Sequence, residues 1–166
     1  MAVDLYDHVP SLLREVNPPG IDVFTAATED DMVGYLSDAF WEASLDGFVQ
    51  DWTCDEEGLI TPLEVGGEDL PRAQVSLIIL YAGIKVLRNR ILNLNTQFSA
   101  KAGPVEFEQQ NSATMLVEQL KQLKATKDRL LETVDGGMAL DAAVDALSVR
   151  SYSGLSYWGG LELTEM

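Results

Sequence analysis

The stretch Val75–Ile84 (VSLIILYAGI) carries no charge and is apolar nearly all round. Read as helix, it has no polar face, and such a helix must be covered on every side. It is far too short to cross a bilayer. It must therefore be the hub of a protein core or of a subunit interface. The residues after it turn amphipathic, with Val86, Leu87, Ile91 and Leu94 set against Lys85, Arg88, Asn89 and Arg90. Asp69 suits an N-cap and Pro71 a first turn, where the missing N–H costs nothing. These signals predict a long helix over about 69–95.

Other helices must supply the cover. Leu5, Val9, Leu12, Leu13 and Val16 recur at helical spacing, with Pro10 near the start, and Asn17-Pro18-Pro19-Gly20 breaks the chain. Thr28 and Asp31 have capping-box spacing before Met32, Tyr35, Leu36, Ala39, Phe40 and Ala43, and Gly47 is the expected stop. Phe98–Gly103 reads as a turn, and Pro104 as the start of a second long helix over about 104–134. Its seam is Ala113, Leu116, Leu120, Leu123, Lys127, Leu130 and Val134, with Lys127 the one polar breach. A seam this short favours a helical hairpin over a free coiled coil. Gly136-Gly137 stops it, and Leu140, Ala143, Val144 and Leu147 outline a last short helix. Residues 48–68 read as a long loop with short extended pieces. The expected fold is all-α: a small helical bundle at 1–149 followed by a C-terminal arm at 150–166. In that arm Arg150, Tyr152, Tyr157, Trp158, Leu161 and Leu163 stand among Ser and Gly, a pattern that suits either a lid on its own core or a docking segment.

Charge is sorted along this chain. Residues 1–70 hold 17 acidic side chains and one basic, Arg14. Residues 71–130 hold nine basic and four acidic, and 131–166 hold six acidic and one basic, for a net −16. Free binding to bare DNA or to an anionic membrane is not expected at that charge, since phosphate affinity needs clustered Lys and Arg. A protein that DNA passes through without sticking remains compatible with it. The acidic N-terminus lacks the layout of a signal peptide, and the lone Cys54 allows no internal disulfide.

No reaction chemistry is expected, and neither a cofactor nor a metal. The sole histidine, His8, has no nucleophile-elbow partner, and Cys54 has no CxxC mate and acidic neighbours that would raise its pKa. There is no phosphate-binding glycine loop. Asp51, Asp55, Glu56 and Glu57 do not match the spacing of a calcium loop and read as a solvated acidic loop.

Four ordered segments carry a resemblance: Gly66-Gly67-Glu68-Asp69-Leu70-Pro71-Arg72, the run Leu77–Ile84, Leu92-Asn93-Leu94-Asn95-Thr96, and Ala100–Glu108. Over roughly 30–135 the chain resembles the head-to-tail adaptor (head-completion) proteins of siphophages infecting actinobacteria. The resemblance implies a structural virion protein rather than an enzyme, made in the host cytoplasm and located at the virion neck. It implies a mostly helical subunit of a dodecameric ring below the portal, extending the DNA channel to the stopper or tail-completion protein. The aromatic arm (Arg150, Tyr152, Tyr157, Trp158, Leu161, Leu163) would then reach the portal. A basic band of Arg72, Lys85, Arg88, Arg90, Lys121 and Lys124 would face a neighbour's acidic N-terminal region. The acidic loop of Asp51, Asp55, Glu56 and Glu57 would face the channel or the tail. Two other readings stay open: an acidic DNA-mimic inhibitor, and another helical phage neck or tail assembly factor.

Overall fold

The computed structural model describes residues 2–17, 29–67, 69–98 and 106–146. The expected cap at Thr28, the Pro18–Gly20 break, the turn and helix start at 99–105, Leu147 and the whole C-terminal arm lie outside them. Helix α3 (Arg72–Phe98) is the axis of the fold, and α1 (Val9–Val16), α2 (Glu29–Leu45) and α4 (Glu106–Asp135) all pack on it. Leu77, Ile78, Tyr81, Ala82, Val86 and Leu87 of α3 are buried, and Val75, Ile79, Leu80, Ile84 and Ile91 pack against the same core. The cover that this apolar helix requires thus comes largely from its own chain. Each fully buried large aliphatic side chain contributes about 1.5–3 kcal/mol.

Contacts set the helix directions. Tyr81 meets Asp46, Lys85 meets Glu42 and Asn89 meets Tyr35, so α2 runs antiparallel to α3. Tyr81 meets Lys127 while Gly83 faces Leu123, so α4 is antiparallel to α3 as well, forming the predicted hairpin. The approach at Gly83 is close: a Cβ there would stand 3.1 Å from Leu123 and 3.5 Å from Val16. On α4 the predicted seam is observed, with Leu116, Leu123 and Leu130 buried and Ala113, Leu120 and Val134 against the core.

Helix α3 begins at Arg72, so Pro71 lies just before it rather than within it, and the Pro71 carbonyl accepts from Gln74 and Val75. Gly47 ends α2: its N–H reaches Ser44 and the Phe48 N–H reaches Ala43, the paired bonds of a Schellman stop. Gly137 and Met138 repeat the pattern on Val134 and Thr133. Residues 140–146 are then helical, with Ala143 buried.

Two further details differ from the sequence expectation. The first helix is split: a 3-10 turn at Leu5–His8 precedes α1. Pro10 has no N–H to give to the Tyr6 carbonyl, which takes the Val9 N–H instead. The second difference is one of detail: the short extended pieces expected after α2 pair as a β-hairpin over 52–62, so the helical fold expected is observed with a small sheet added to it. Strand β1 (Val3–Asp4), β2 (Trp52–Cys54) and β3 (Leu59–Pro62) form an antiparallel sheet in the order β1-β3-β2. Val3 and Cys54 both pair with Ile60, which is buried.

The hairpin turn explains how so short a sheet holds. The Asp55 carboxylate accepts the N–H groups of Glu57 at 3.0 Å and Leu59 at 2.8 Å. Gly58 then takes φ +85°, a left-handed turn position, and its carbonyl accepts the Leu5 N–H at 3.0 Å. A Cβ on Gly58 would stand 2.7 Å from Val33 of α2. Gly66 has a similar φ of +86° but nothing within 4 Å of its would-be Cβ. Gly58→Ala should therefore cost about 2–4 kcal/mol through strain and overpacking, and Gly66→Ala about 1 kcal/mol through strain alone. Urea denaturation of both variants checks this; equal losses would show that the Val33 contact does not matter.

Candidate functional site

Acid from the N-terminal part of the chain meets base from its middle where α2, α3 and α4 pack together. Glu42 of α2 is bound from two sides: Lys85 of α3 lies 3.1 Å from one carboxylate oxygen, and Lys127 of α4 lies 3.6 Å from the other. Lys85 also donates to the Asp38 carbonyl at 3.2 Å. The Lys127 ammonium sits 3.7 Å from the centre of the Tyr81 ring, a cation–π contact that explains the polar breach in the α4 seam. The Tyr81 hydroxyl donates to Asp46 at 2.7 Å. Burial first, then the bond to and charge of Asp46, raise the Tyr81 pKa. Two carboxylates, two ammoniums and one phenol thus tie α2 and the turn that follows it to α3 and α4 in one register. The charged members are partly solvated, so each ion pair contributes only about 1 kcal/mol or less.

This cluster changes the standing of the basic band. Lys85 is engaged inside the protomer. Arg90 is half-buried, with its Nε buried and without a hydrogen-bond partner among the described residues. Arg72, Arg88, Lys121 and Lys124 are exposed on α3 and α4. Lys121 makes a loose pair with Glu118 at 3.9 Å, both side chains largely in solvent.

Within the acidic segment, Asp55 builds the hairpin turn, while Asp51, Glu56 and Glu57 are exposed. The Asp51 carbonyl accepts the Leu63 N–H at 2.8 Å at the other end of the hairpin, so Asp51 and the Glu56–Glu57 tip stand at opposite ends. Arg150, Tyr152, Tyr157, Trp158, Leu161 and Leu163 lie outside the described residues. His8 precedes α1 and makes no capping bond with its side chain.

Among the described residues, no group of three or more His, Cys, Asp or Glu side chains is placed to hold a metal ion, and no helix is long and apolar enough to cross a membrane. The chain matches no family model, no curated protein and no solved structure.

Exposed apolar side chains are the feature that pattern reading passed over. Trp41 and Leu45 of α2 are 46% and 88% exposed, and Leu63 and Val65 project after β3. A signal existed for the first two: neither lies on the Met32–Leu36–Ala39–Ala43 seam, so a helical wheel turns them outward.

Two outcomes follow from the buried groups. Tyr81 holds its proton more tightly in the folded state, so stability should fall as pH rises past about 10, the ordinary phenol value. Tyr81→Phe should flatten that fall in denaturation series taken on either side of pH 10; an unchanged slope would discount the phenol. Cys54 is buried, with Ser37 at 3.7 Å, and burial pushes its thiol pKa up, with Asp55 adding to the shift and the Ser37 bond opposing it. A thiol reagent at pH 8 should label it slowly until denaturant unfolds the chain, and fast labelling of the native protein would contradict this burial.

Proposed function

We propose that this chain is a head-to-tail adaptor: a structural subunit that forms a ring between a portal and a stopper or tail-completion protein and continues the DNA channel. The observation that carries this reading is the division of exposed charge within one protomer. Arg72, Arg88, Lys121, Lys124 and Arg129 are exposed on α3 and α4, interspersed on α4 with exposed Glu118, Asp128, Glu132 and Asp135, whereas among the described residues the exposed charge of α2 and the hairpin is acidic throughout. A surface of this kind fits a copy of itself by a head-to-tail contact, which closes into a ring when the rotation between copies divides a full turn. The acid excess would line a passage from which DNA, itself polyanionic, is readily released. Exposed Leu45, Leu63 and Val65 support assembly further, since a buried interface must supply most of the binding energy. The aromatic arm at 150–166 is the portal-docking element in this reading.

A DNA-mimic inhibitor accounts for the net charge of −16 but gives no role to the exposed basic side chains of α3 and α4. Deleting residues 150–166 should abolish co-purification with the portal ring while leaving helix content unchanged by circular dichroism; portal binding that survives the deletion would refute the arm. Arg88→Glu should weaken ring formation without loss of thermal stability, read as mass by light scattering beside a melting curve. Arg88 is the better probe than Arg90, whose guanidinium is partly buried.

A further inference from the structure

One end of the bundle, where α2 and α4 finish and α3 begins, presents apolar side chains to solvent. Leu45 is the last residue of α2, and Met138 follows the end of α4. The segment that leads into α3 lies at the same end. The Gln74 side-chain amide, in the first turn of α3, donates to the Phe48 carbonyl just past α2 at 2.8 Å, and the Leu63 N–H donates to the Asp51 carbonyl three residues further on. Leu45, Leu63 and Val65 are 88%, 63% and 108% exposed, the three most exposed large apolar side chains among the described residues, and Met138 is exposed as well. The turn that presents Leu63 and Val65 is closed by a bond from the Gly67 N–H to the Glu64 carbonyl at 3.0 Å, with Gly66 at φ +86°. Apolar side chains grouped at one end of a fold mark a contact surface.

The occupant with the best access is the chain's own C-terminal segment. After the Gly137 stop, residues 140–146 are helical with Ala143 buried in the core, so the chain leaves the described structure near this end. It continues with Tyr152, Tyr157, Trp158, Leu161 and Leu163, apolar groups that match the surface in chemistry. Residues 147–163 span at most about 60 Å when extended, and three packed helices are about 30 Å across. The segment therefore reaches the whole surface. A tether this short holds the two at an effective concentration on the order of millimolar, which favours this occupant over a separate molecule. The contact is apolar rather than ionic, since 150–163 carries only Arg150 and Glu162 as charged side chains.

We infer that residues 152–163 of each chain fold back over the Leu45–Leu63–Val65–Met138 surface of the same chain and mask it. Moving the segment away frees both sides of the contact at once: the aromatic side chains for the portal, and the apolar end for assembly. That consequence rests on the adaptor reading above, whereas the contact itself does not.

The test uses the full chain alone, with hydrogen–deuterium exchange of 150–166 read by mass spectrometry and particle mass read by light scattering. One variant breaks the surface (Leu45→Ser with Val65→Ser) and another the segment (Tyr157→Ser with Trp158→Ser). Amides of 152–163 should exchange at least about tenfold more slowly in the wild-type monomer than in either variant. The slowing should persist in about 1 M salt, where ionic contacts are screened. Leu63→Asp serves as a second surface probe should the double serine variant melt earlier than wild type. Exchange as fast in wild type as in the variants would overturn the inference. So would slowing that appears only as the mass rises to a dimer, which would place the segment on a second copy. Failure of the adaptor reading is seen separately, as a chain that shows the slowed exchange yet does not co-purify with the portal ring.

Discussion

The structure depends on the need to cover a helix that has no polar side. An α-helix rich in Leu and Ile around most of its circumference is unstable in water unless several elements enclose it. Here α1, α2 and α4 do so, and the order of the chain follows from that requirement. The two long helices run back along each other, α2 takes another flank, and Gly83 lets α1 and α4 reach the axis together. The small sheet sits beyond α2, tied to it where Gly58 meets Val33 and where Ser37 meets Cys54.

Apolar cover alone does not choose a register between smooth helices. The cluster of Glu42, Lys85, Lys127, Tyr81 and Asp46 does so, because a one-turn slip would separate several partners at once. Its net energy is small, since partly solvated ion pairs gain little over hydration. Its value is selectivity among packings of similar hydrophobic energy. The cluster also sets apart two lysines from the exposed basic side chains of α3 and α4. Lys85 and Lys127 neutralise acid inside the protomer, while Arg72, Arg88, Lys121 and Lys124 are exposed at its surface. The sorted charge of the sequence is thus partly an internal device, and only the remainder is available for assembly.

Helices were legible because their signals are local: apolar spacing, Pro10 in a first turn, and glycine stops at Gly47 and Gly137. The sheet was not, because β2 and β3 are only three and four residues long and β1 is contributed from far upstream. Pairing Val3 with Ile60 brings together residues that no sequence window contains. Asp55 shows the same limit. In the sequence it is one carboxylate in an acidic run, and its role emerges only when its oxygen is seen to hold the turn amides. Lys127 looked like a flaw in a seam, and its reason lies on two other helices. Trp41 and Leu45 carried an outward signal at their positions on α2, but whether another element covered them could not be read from α2 alone.

By itself, the sequence determined that the chain would be mainly helical, that the Val75–Ile84 segment would be central, and where several helices would stop. Those properties depend on hydrogen bonding and side-chain periodicity within a few residues. Tertiary structure alone decided which charges face each other, which stay exposed, and that 52–62 would fold as a hairpin joined to the N-terminal strand. Those outcomes depend on contacts between distant segments, whose energies are settled only when the helices are packed.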